Sequence, residues 1–360
     1  MFYVDVKKYC GRIIQGWQSF GNGFFKKNFY FFELYDKKTS YIFSGKFMSS
    51  LLEILADGQP KTFKKLTALL SLSQAQLLDE TERLQTLGIQ IKASPQTLQL
   101  IPQLDLLDGA RLSKALFPHR VVIQPVIDST NQYILNHLAE LKKGDLCLSE
   151  HQTAGRGRRG RQWLSPFAGQ LILSIYWTLN ARKPLDGLSL VIGMAIADAI
   201  KSAGGKEINL KWPNDLLLNG RKLAGILIEI ANRQQDQLNL VIGIGINLSL
   251  PKLKAQIDQP WAELCEILPQ LDRNELLIRV VKHLYLYLAA FEREGINAVF
   301  REKWAETDYY FNKEVNIITE KQTITGINQG IDENGYILIK TKNGELLKFN
   351  GGEVSLRKPA

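Results

Sequence analysis

The chain has 360 residues, 45% of them hydrophobic and 22% charged, a length that allows about two or three domains with ample core and a composition that excludes a disordered or low-complexity chain. No segment after the first 47 residues approaches the ~18 apolar residues of a membrane span. Cys10, Cys147 and Cys265 form no CxxC pair, which disfavours a disulfide scaffold or a cysteine-ligated zinc and points to a reducing, cytoplasmic setting.

The net charge of +9 suggests nucleic acid, but residues 1 to 47 carry eight Lys/Arg against three acids, leaving only +4 for the rest. These residues also hold 15 of the 34 aromatics, with no sustained helical or strand period. Charges interrupt their apolar runs and no small-residue cleavage site follows, so a secretory signal is not expected. Met48 then opens MSSLLEILADG, an amphipathic helix start. Residues 1–47 are therefore expected to be a non-native extension, disordered or poorly packed, ahead of a true start at Met48. The alternative is a basic, aromatic arm for a membrane surface or partner.

Residues 48–112 read as a small helical module. LLEILADGQ is a helix stopped by Gly58, Thr62 can cap FKKLTALLSL, and Ser73 can cap QAQLLDETERLQTLG. The strands IQIKA and TLQLI follow across Ser94-Pro95. This is the order of a winged helix-turn-helix, with the DNA-reading motif at Thr62 to Thr81. A plain three-helix bundle fits the same pattern. The second helix of the motif carries Asp79, Glu80 and Glu82 against Arg83, and residues 51 to 100 balance five basic with five acidic side chains, a poor source of phosphate affinity.

From Val121 to Leu248 strands alternate with fewer helices, which predicts an α+β fold with a mixed sheet. The strands are VVIQPVID, DLCLS, QLILSIYWTL, INLKW, DLLLN, AGILIEIA and LNLVIGIGINLS; the helices are NQYILNHLAELKK, capped by Ser129 or Thr130 and ended by Gly144, and LSLVIGMAIADAIKSAGG. LIRVVKHLYLYLAAFEREG and AVFREKWAE are later helices. From about Tyr310, short strands with turns at Gly330, Asn334-Gly335 and Asn343-Gly344 suggest a small β-barrel.

Between two of these strands lies QTAGRGRRGRQW, with four arginines and three glycines in seven residues. Gly155, Gly157 and Gly160 spell GxGxxG, but Pro166 and Gly169 forbid the helix that a dinucleotide site needs. No acid occurs between Glu150 and Asp186 to hold a ribose. No HRD or DFG triplet supports a kinase. A loop with these arginines and free amides suits phosphate or carboxylate, unless it is a solvated basic turn.

Other polar motifs interrupt the apolar framework. Asp128-Ser129-Thr130-Asn131 sits where a strand gives way to a helix; KWPND places Lys211, Asn214 and Asp215 around a turn; RKLAGIL offers Lys222 before Gly225; IGIGINL sets Gly243, Gly245 and Asn247 in a strand, where glycine weakens the sheet unless something must lie close. Each alone is compatible with a surface charge, a turn or a bulge.

In this order, DSTN, QTAGRGRRGRQW, KWPNDLLL, RKLAGIL and IGIGINL resemble the biotin protein ligases, and with the N-terminal module the chain is similar to the bifunctional ligase and biotin operon repressor type. The likeness runs over about residues 48 to 358, including NGGEVSLR near the end; residues 1–47 have no counterpart. The resemblance implies residues 48–112 as winged helix-turn-helix, 113–309 as biotin/lipoate ligase-like catalytic domain and 310–360 as SH3-like barrel. It implies ATP-dependent formation of biotinyl-5′-AMP and transfer to a lysine of the biotin carrier protein of acetyl-CoA carboxylase. It further implies ATP and Mg²⁺ for the reaction, operator DNA as a further partner, and a homodimer when adenylate is bound.

Matched motif by motif, Ser129, Thr130, Asn131, Gln152, Arg156, Gly157, Arg158, Lys222, Gly225, Gly243 and Gly245 are the implied biotin contacts. Arg161, Trp163, Asn214, Asp215 and Asn247 serve ATP, with Asp215 also near Mg²⁺. Lys222 would bridge carboxylate and α-phosphate, Arg158 retain the adenylate, and Asp215 act as general base. The alternatives are a lipoate-type ligase of related fold, or chiefly a biotin-sensing DNA-binding repressor.

Overall fold

The computed structural model describes residues 51–250, 260–319, 322–351 and 355–357; the expectation for residues 1–47 lies outside them. Residues 51–55 are helical, and Gly58 turns the chain with φ +68°. β1 (Lys61–Thr62), α1 (Phe63–Leu70), α2 (Gln74–Thr86), β2 (Ile91–Ala93) and β3 (Thr97–Leu100) follow. Both expected caps are present: Thr62 accepts from the Lys65 amide at 3.2 Å, and Ser73 with Gln76 closes a reciprocal capping box. α1 stops at Leu70, two residues early, because Ser71 takes a left-handed conformation. The strands pair antiparallel in the order β1-β3-β2, and Leu51, Leu55, Leu66, Leu77, Leu84 and Leu98 form the core of this module.

The linker beyond it is bolted to the body of the protein. Glu150 and Arg273 form an ion pair at 2.7 Å with both side chains 4% exposed. Glu150 accepts from the Leu107 amide, Arg273 donates to the Asp105 carbonyl, and Asn274 holds both Leu106 and Asp108. Such a pair tolerates burial because most of its remaining donors and acceptors are matched, the Arg273 Nε–H being the exception. α3 (Gly109–Leu116) starts at Asp108, which caps it. The expected boundary between residues 112 and 113 therefore cuts a helix, and Leu112 and Leu116 pack into the central core rather than that of the N-terminal module.

The central body comprises β4 (Val121–Ile127), α4 (Thr130–Asn136), β5 (Leu146–Gln152), β6 (Gln170–Asn180), α5 (Leu188–Ser202), β7 (Ile208–Lys211), β8 (Asp215–Leu218), β9 (Arg221–Gln234), β10 (Gln237–Asn247), α6 (Arg273–Glu294) and α7 (Ala298–Thr307). Its sheet runs β4-β5-β6-β10-β9-β8-β7. Only β4 and β5 are parallel, so the sheet is mixed, as expected. α4 is shorter than its apolar pattern promised, because the His137 amide bonds Ile134 and tightens the chain into a 3₁₀ turn at Leu138–Glu140.

The two faces of the sheet differ. Leu171, Leu173, Ile175 and Trp177 alternate onto the face that packs with the apolar sides of α5 and α6. Gln170, Ile172, Ser174 and Tyr176 take the opposite face, beside Gly243 and Gly245 of β10 in register. α4 lies on that second face, with Ile134, Tyr176 and Val241 in a small cluster of their own.

β11 (Glu314–Ile318), β12 (Thr323–Ile331), β13 (Ile337–Thr341), β14 (Leu346–Phe349) and β15 (Ser355–Arg357) form an antiparallel sheet in the order β14-β13-β12-β11-β15. Among the described residues β14 and β15 are its open edges, so the expected closed SH3-like barrel is not seen. Gly335 and Gly344 make the expected turns, with φ +77° and +84°. Gly330 instead lies inside β12 where the register with β13 shifts, a bulge rather than a turn. Asp308 joins this sheet to α7 by accepting from Trp304, Asn328 and the Tyr310 amide; burial raises its carboxyl from the usual range, against the pull of those donors. Among the described residues no helix is long and apolar enough to cross a membrane.

Candidate active site

The polar face of the sheet carries a cleft, and a single extra residue puts its lysine there. Lys222 lies three positions before Gly225, so strict alternation would turn it to the opposite face. The register between β8 and β9 shifts between Leu216 and Leu217, where Leu216 opposes Ala224 and Leu217 opposes Lys222. Leu223 is the additional residue, and the bulge returns Lys222 to the face of Gly225. The Lys222 ammonium meets Asp215 at 2.7 Å, with side chains 19% and 16% exposed. Its backbone is clasped by residues 260–262 through the Pro260 carbonyl and the Ala262 amide.

The floor is glycine for steric reasons. A Cβ on Gly245 would lie 2.5 Å from the Trp163 ring, one on Gly225 3.0 Å from the same ring, and one on Gly243 would collide with the Asn131 amide. The Trp163 indole thus seats directly on the strands, 5.6 Å from the Lys222 ammonium.

At the other end the DSTN segment opens α4. Ser129 accepts from the Gln132 amide. Gln152, at the end of β5, accepts from the Thr130 amide at 2.8 Å and its hydroxyl at 3.1 Å. The Ser174 hydroxyl, fully buried on β6, lies within hydrogen-bond distance of the Thr130 hydroxyl and the Asn131 side-chain oxygen and has one proton to share between them. Glu229 on β9 accepts on one oxygen from Asn131 at 2.5 Å and from Arg156 at 3.0 Å. Arg156 also donates to Gln132.

The arginine loop closes the cleft from above. Arg158–Gly160 forms a 3₁₀ turn with Arg159 left-handed at φ 58°. Arg158 donates to Asn214 at 3.0 Å and to the Gly351 carbonyl, tying the loop to the KWPND turn and to the C-terminal sheet. Burial, with Arg159 beside it, lowers its guanidinium from the ordinary arginine value. Lys211 is likewise lowered, first by burial and then by Arg357, Lys222 and Arg161, with Asp215 opposing.

All but one of the sixteen residues singled out for biotin and ATP line this cleft. Asn247 lies beneath it, donating to the Lys222 and Ala262 carbonyls and accepting from Gln170. Lys211, Leu356 and Arg357 also line the cleft without having been assigned, although KWPND and NGGEVSLR contain them. Glu229, Ser174 and Gln170 were missed as well. Alternation along each strand would have found them: Glu229 shares the face of Gly225, Ser174 pairs with Gly243, and Gln170 pairs with Asn247. Among the described residues Asp215 is the sole carboxylate lining the cleft, and no group of three or more His, Cys, Asp or Glu side chains could hold a metal ion.

Residues 123–247 match the biotin/lipoate A/B protein ligase family and residues 310–357 the biotin protein ligase C-terminal domain. The bifunctional ligase/repressor BirA of Salmonella typhimurium is 39% identical over 311 residues, covering 86% of this chain and 97% of that protein. The chain belongs to the biotin/lipoate A/B protein ligase family. BirA of Escherichia coli is 38% identical, with 85% of this chain and 96% of that protein covered. Among solved structures, the biotin protein ligase from Aquifex aeolicus in complex with biotin and ATP is 31% identical, with a TM-score of 0.59 over 67% of this chain and 99% of that one. The two family matches lie on both sides of the cleft: the ligase segment supplies its floor and loop, and the C-terminal segment supplies Leu356 and Arg357.

Proposed function

We propose that the protein joins the carboxylate of biotin to the α-phosphate of ATP, releasing pyrophosphate, and then passes the biotinyl group from biotinyl-5′-AMP to a lysine of the biotin carrier protein of acetyl-CoA carboxylase. The observation that carries this reading is the convergence, in one cleft, of motifs spread from Ser129 to Gly245 with, among the described residues, seven cationic side chains and a single carboxylate. Relatives named biotin ligases agree, among them the biotin–[acetyl-CoA-carboxylase] ligase of Paracoccus denitrificans at 31% identity over 60% of this chain and 92% of that protein.

Biotin lies beside the Trp163 indole that rests on Gly225 and Gly245 and beside the Asn131 amide that covers Gly243, with Ser129, Thr130, Asn131 and Gln152 matching its polar ring. Lys222 stands between carboxylate and α-phosphate and stabilises charge as the carboxylate oxygen attacks phosphorus and pyrophosphate leaves. Arg158, Arg161, Lys211 and Arg357 receive the phosphates. Arg156 and Gly157 run along the adenylate, and Trp163 and Asn214 flank the nucleotide. Mg²⁺ fits as an ion held chiefly by phosphate oxygens, with Asp215 the side chain able to add an oxygen, and it would offset triphosphate charge. In the second step the carrier amine attacks the acyl carbon, AMP leaves, and the amine proton goes to a base. Asp215 is the cleft carboxylate in position, and its pairing with Lys222 keeps it there. Labelled biotin should reach the carrier only with ATP, and excess lipoate should not compete. Competition by lipoate would favour the lipoate-type reading.

A second role is supported by the N-terminal module. The β1-β3-β2 sheet order with α1 and α2 fits a winged helix-turn-helix, and the BirA relatives are named ligase/repressors. Glu80, one of the three acids that argued against DNA, is only 6% exposed and its carboxyl is raised by burial. The outer face of α2 therefore presents Gln74, Gln76, Arg83 and Gln85 with only Asp79 and Glu82 opposing. Operator DNA binding by an adenylate-bound homodimer in the cytoplasm is the reading these features favour. DNA from upstream of the organism's biotin-synthesis genes should bind tightly only with biotin and Mg-ATP, and binding indifferent to ligand would remove the repressor role.

A further inference from the structure

We infer that Gln170 is a positioning residue that fixes the seat of the Trp163 indole and the backbone that carries Lys222 with one side chain. The inference rests on the biotin-adenylation reading of the cleft and deepens it. Gln170 is 2% exposed and opens β6 directly opposite Asn247. Its Oε1 accepts from the Trp163 indole N–H at 3.1 Å, and its Nε2 donates to Asn247 Oδ1 at 2.8 Å. Asn247 Nδ2 in turn donates to the Lys222 and Ala262 carbonyls at 3.2 Å each. The relay has one direction, from indole N–H to Gln170, from Gln170 to Asn247, and from Asn247 to the lysine strand.

A terminal amide both accepts and donates, which a carboxylate or an aliphatic side chain cannot do. The backbone that carries this side chain is also anchored, because the Gln170 backbone carbonyl accepts from buried Arg273 at 2.9 Å. The indole it holds rests on Gly245 and Gly225 and sets the height of the biotin subsite. The strand it steadies presents the lysine that meets the α-phosphate. The Gln170–Asn247 and Asn247–Ala262 bonds are buried and the other two part-buried, and loss of the buried ones leaves polar groups unsatisfied rather than returned to water.

The test is a double-mutant cycle on the full chain with Gln170→Met, which keeps volume but removes both hydrogen bonds, and Trp163→Phe, which removes the indole N–H. Biotin-dependent pyrophosphate exchange gives biotin KM, ATP KM and kcat, and the thermal midpoint is followed alongside. Gln170→Met is expected to raise biotin KM about tenfold, on the scale of a lost hydrogen bond, and to lower kcat, with a smaller rise in ATP KM because Trp163 also flanks the nucleotide. In the Trp163→Phe background it should raise biotin KM by less than about threefold. Effects that multiply independently, or a lower thermal midpoint with unchanged biotin KM, overturn the inference. If Gln170→Met does not fold, Trp163→Phe alone must raise biotin KM without a matching loss of stability, and an unchanged KM overturns it. A wild-type chain without biotin-dependent exchange would sink the biotin reading itself, whereas an active wild type with an additive cycle sinks only the role of Gln170.

Discussion

At the Asn131 end of the cleft, Arg156 meets Glu229, Asn131 shares the same carboxylate oxygen, and Ser174, Thr130 and Gln152 complete a connected network. At the Lys222 end, Arg158, Arg161, Lys211, Lys222 and Arg357 line the cleft with Asp215 as the one carboxylate among the described residues. The first end is electrostatically balanced and suits a neutral, hydrogen-bonding ligand such as the biotin ring system. The second carries excess positive charge beside buried surface, where an anion is worth more than it would be in water. The same contrast explains why the Arg158 guanidinium and the Lys211 ammonium lie below their ordinary values: burial and like charges work against their cationic states, and a bound triphosphate would offset this.

Breaking the charged end should have the largest effects. Lys222→Ala removes the cation between carboxylate and α-phosphate and should lower biotin-dependent pyrophosphate exchange by about a hundredfold or more, with an unchanged circular dichroism spectrum; near-normal exchange would remove the assignment. Arg158→Gly cuts the ties to Asn214 and Gly351. It should release adenylate on the order of tenfold faster or more, consistent with loss of charge-assisted hydrogen bonds, and label bystander proteins as well as the carrier. Labelling confined to the carrier would count against it.

Changes that sharpen the contrast are milder. Glu229→Ala strips the balanced end of its acceptor and should raise biotin KM by roughly fivefold to tenfold, while Glu229→Gln, which still accepts, recovers most of it. An equal loss in both variants would mean that charge, not hydrogen bonding, matters there. Lys211 offers the smallest and most specific effect. Its ammonium lies below the ordinary value of 10.5, so it loses its proton as pH rises through a range where a free lysine is still charged. ATP KM should therefore climb a few-fold toward alkaline pH while biotin KM does not. Lys211→Arg, which stays charged, should flatten the climb, and an identical profile in that variant would show that another group titrates.

The charged end was the more legible from sequence, because its residues sit in short contiguous motifs where glycine, proline and arginine stand out against apolar strands. The balanced end depends on partners distant in the chain, such as Asn131 with Glu229 and Thr130 with Ser174, brought together only by strand register. Asn247 belonged to a recognised motif yet faces beneath the cleft, since its amide is engaged by Gln170 and by two backbone carbonyls. Lys222 reaches the cleft through a bulge at Leu223 that no alternation pattern announces. The misplaced boundary at residue 112 has a similar cause: an amphipathic helix such as Gly109–Leu116 does not say which of two cores it joins, and here the buried Glu150–Arg273 pair holds its leading linker against the central body.

The most direct test is isotope exchange between pyrophosphate and ATP in the full chain, with Mg²⁺ present and biotin added or withheld. The account predicts exchange that requires biotin, is abolished by Lys222→Ala and is not supported by lipoate. Exchange that proceeds without biotin, or survives the loss of Lys222, would contradict a cleft in which one end holds biotin and the other activates it.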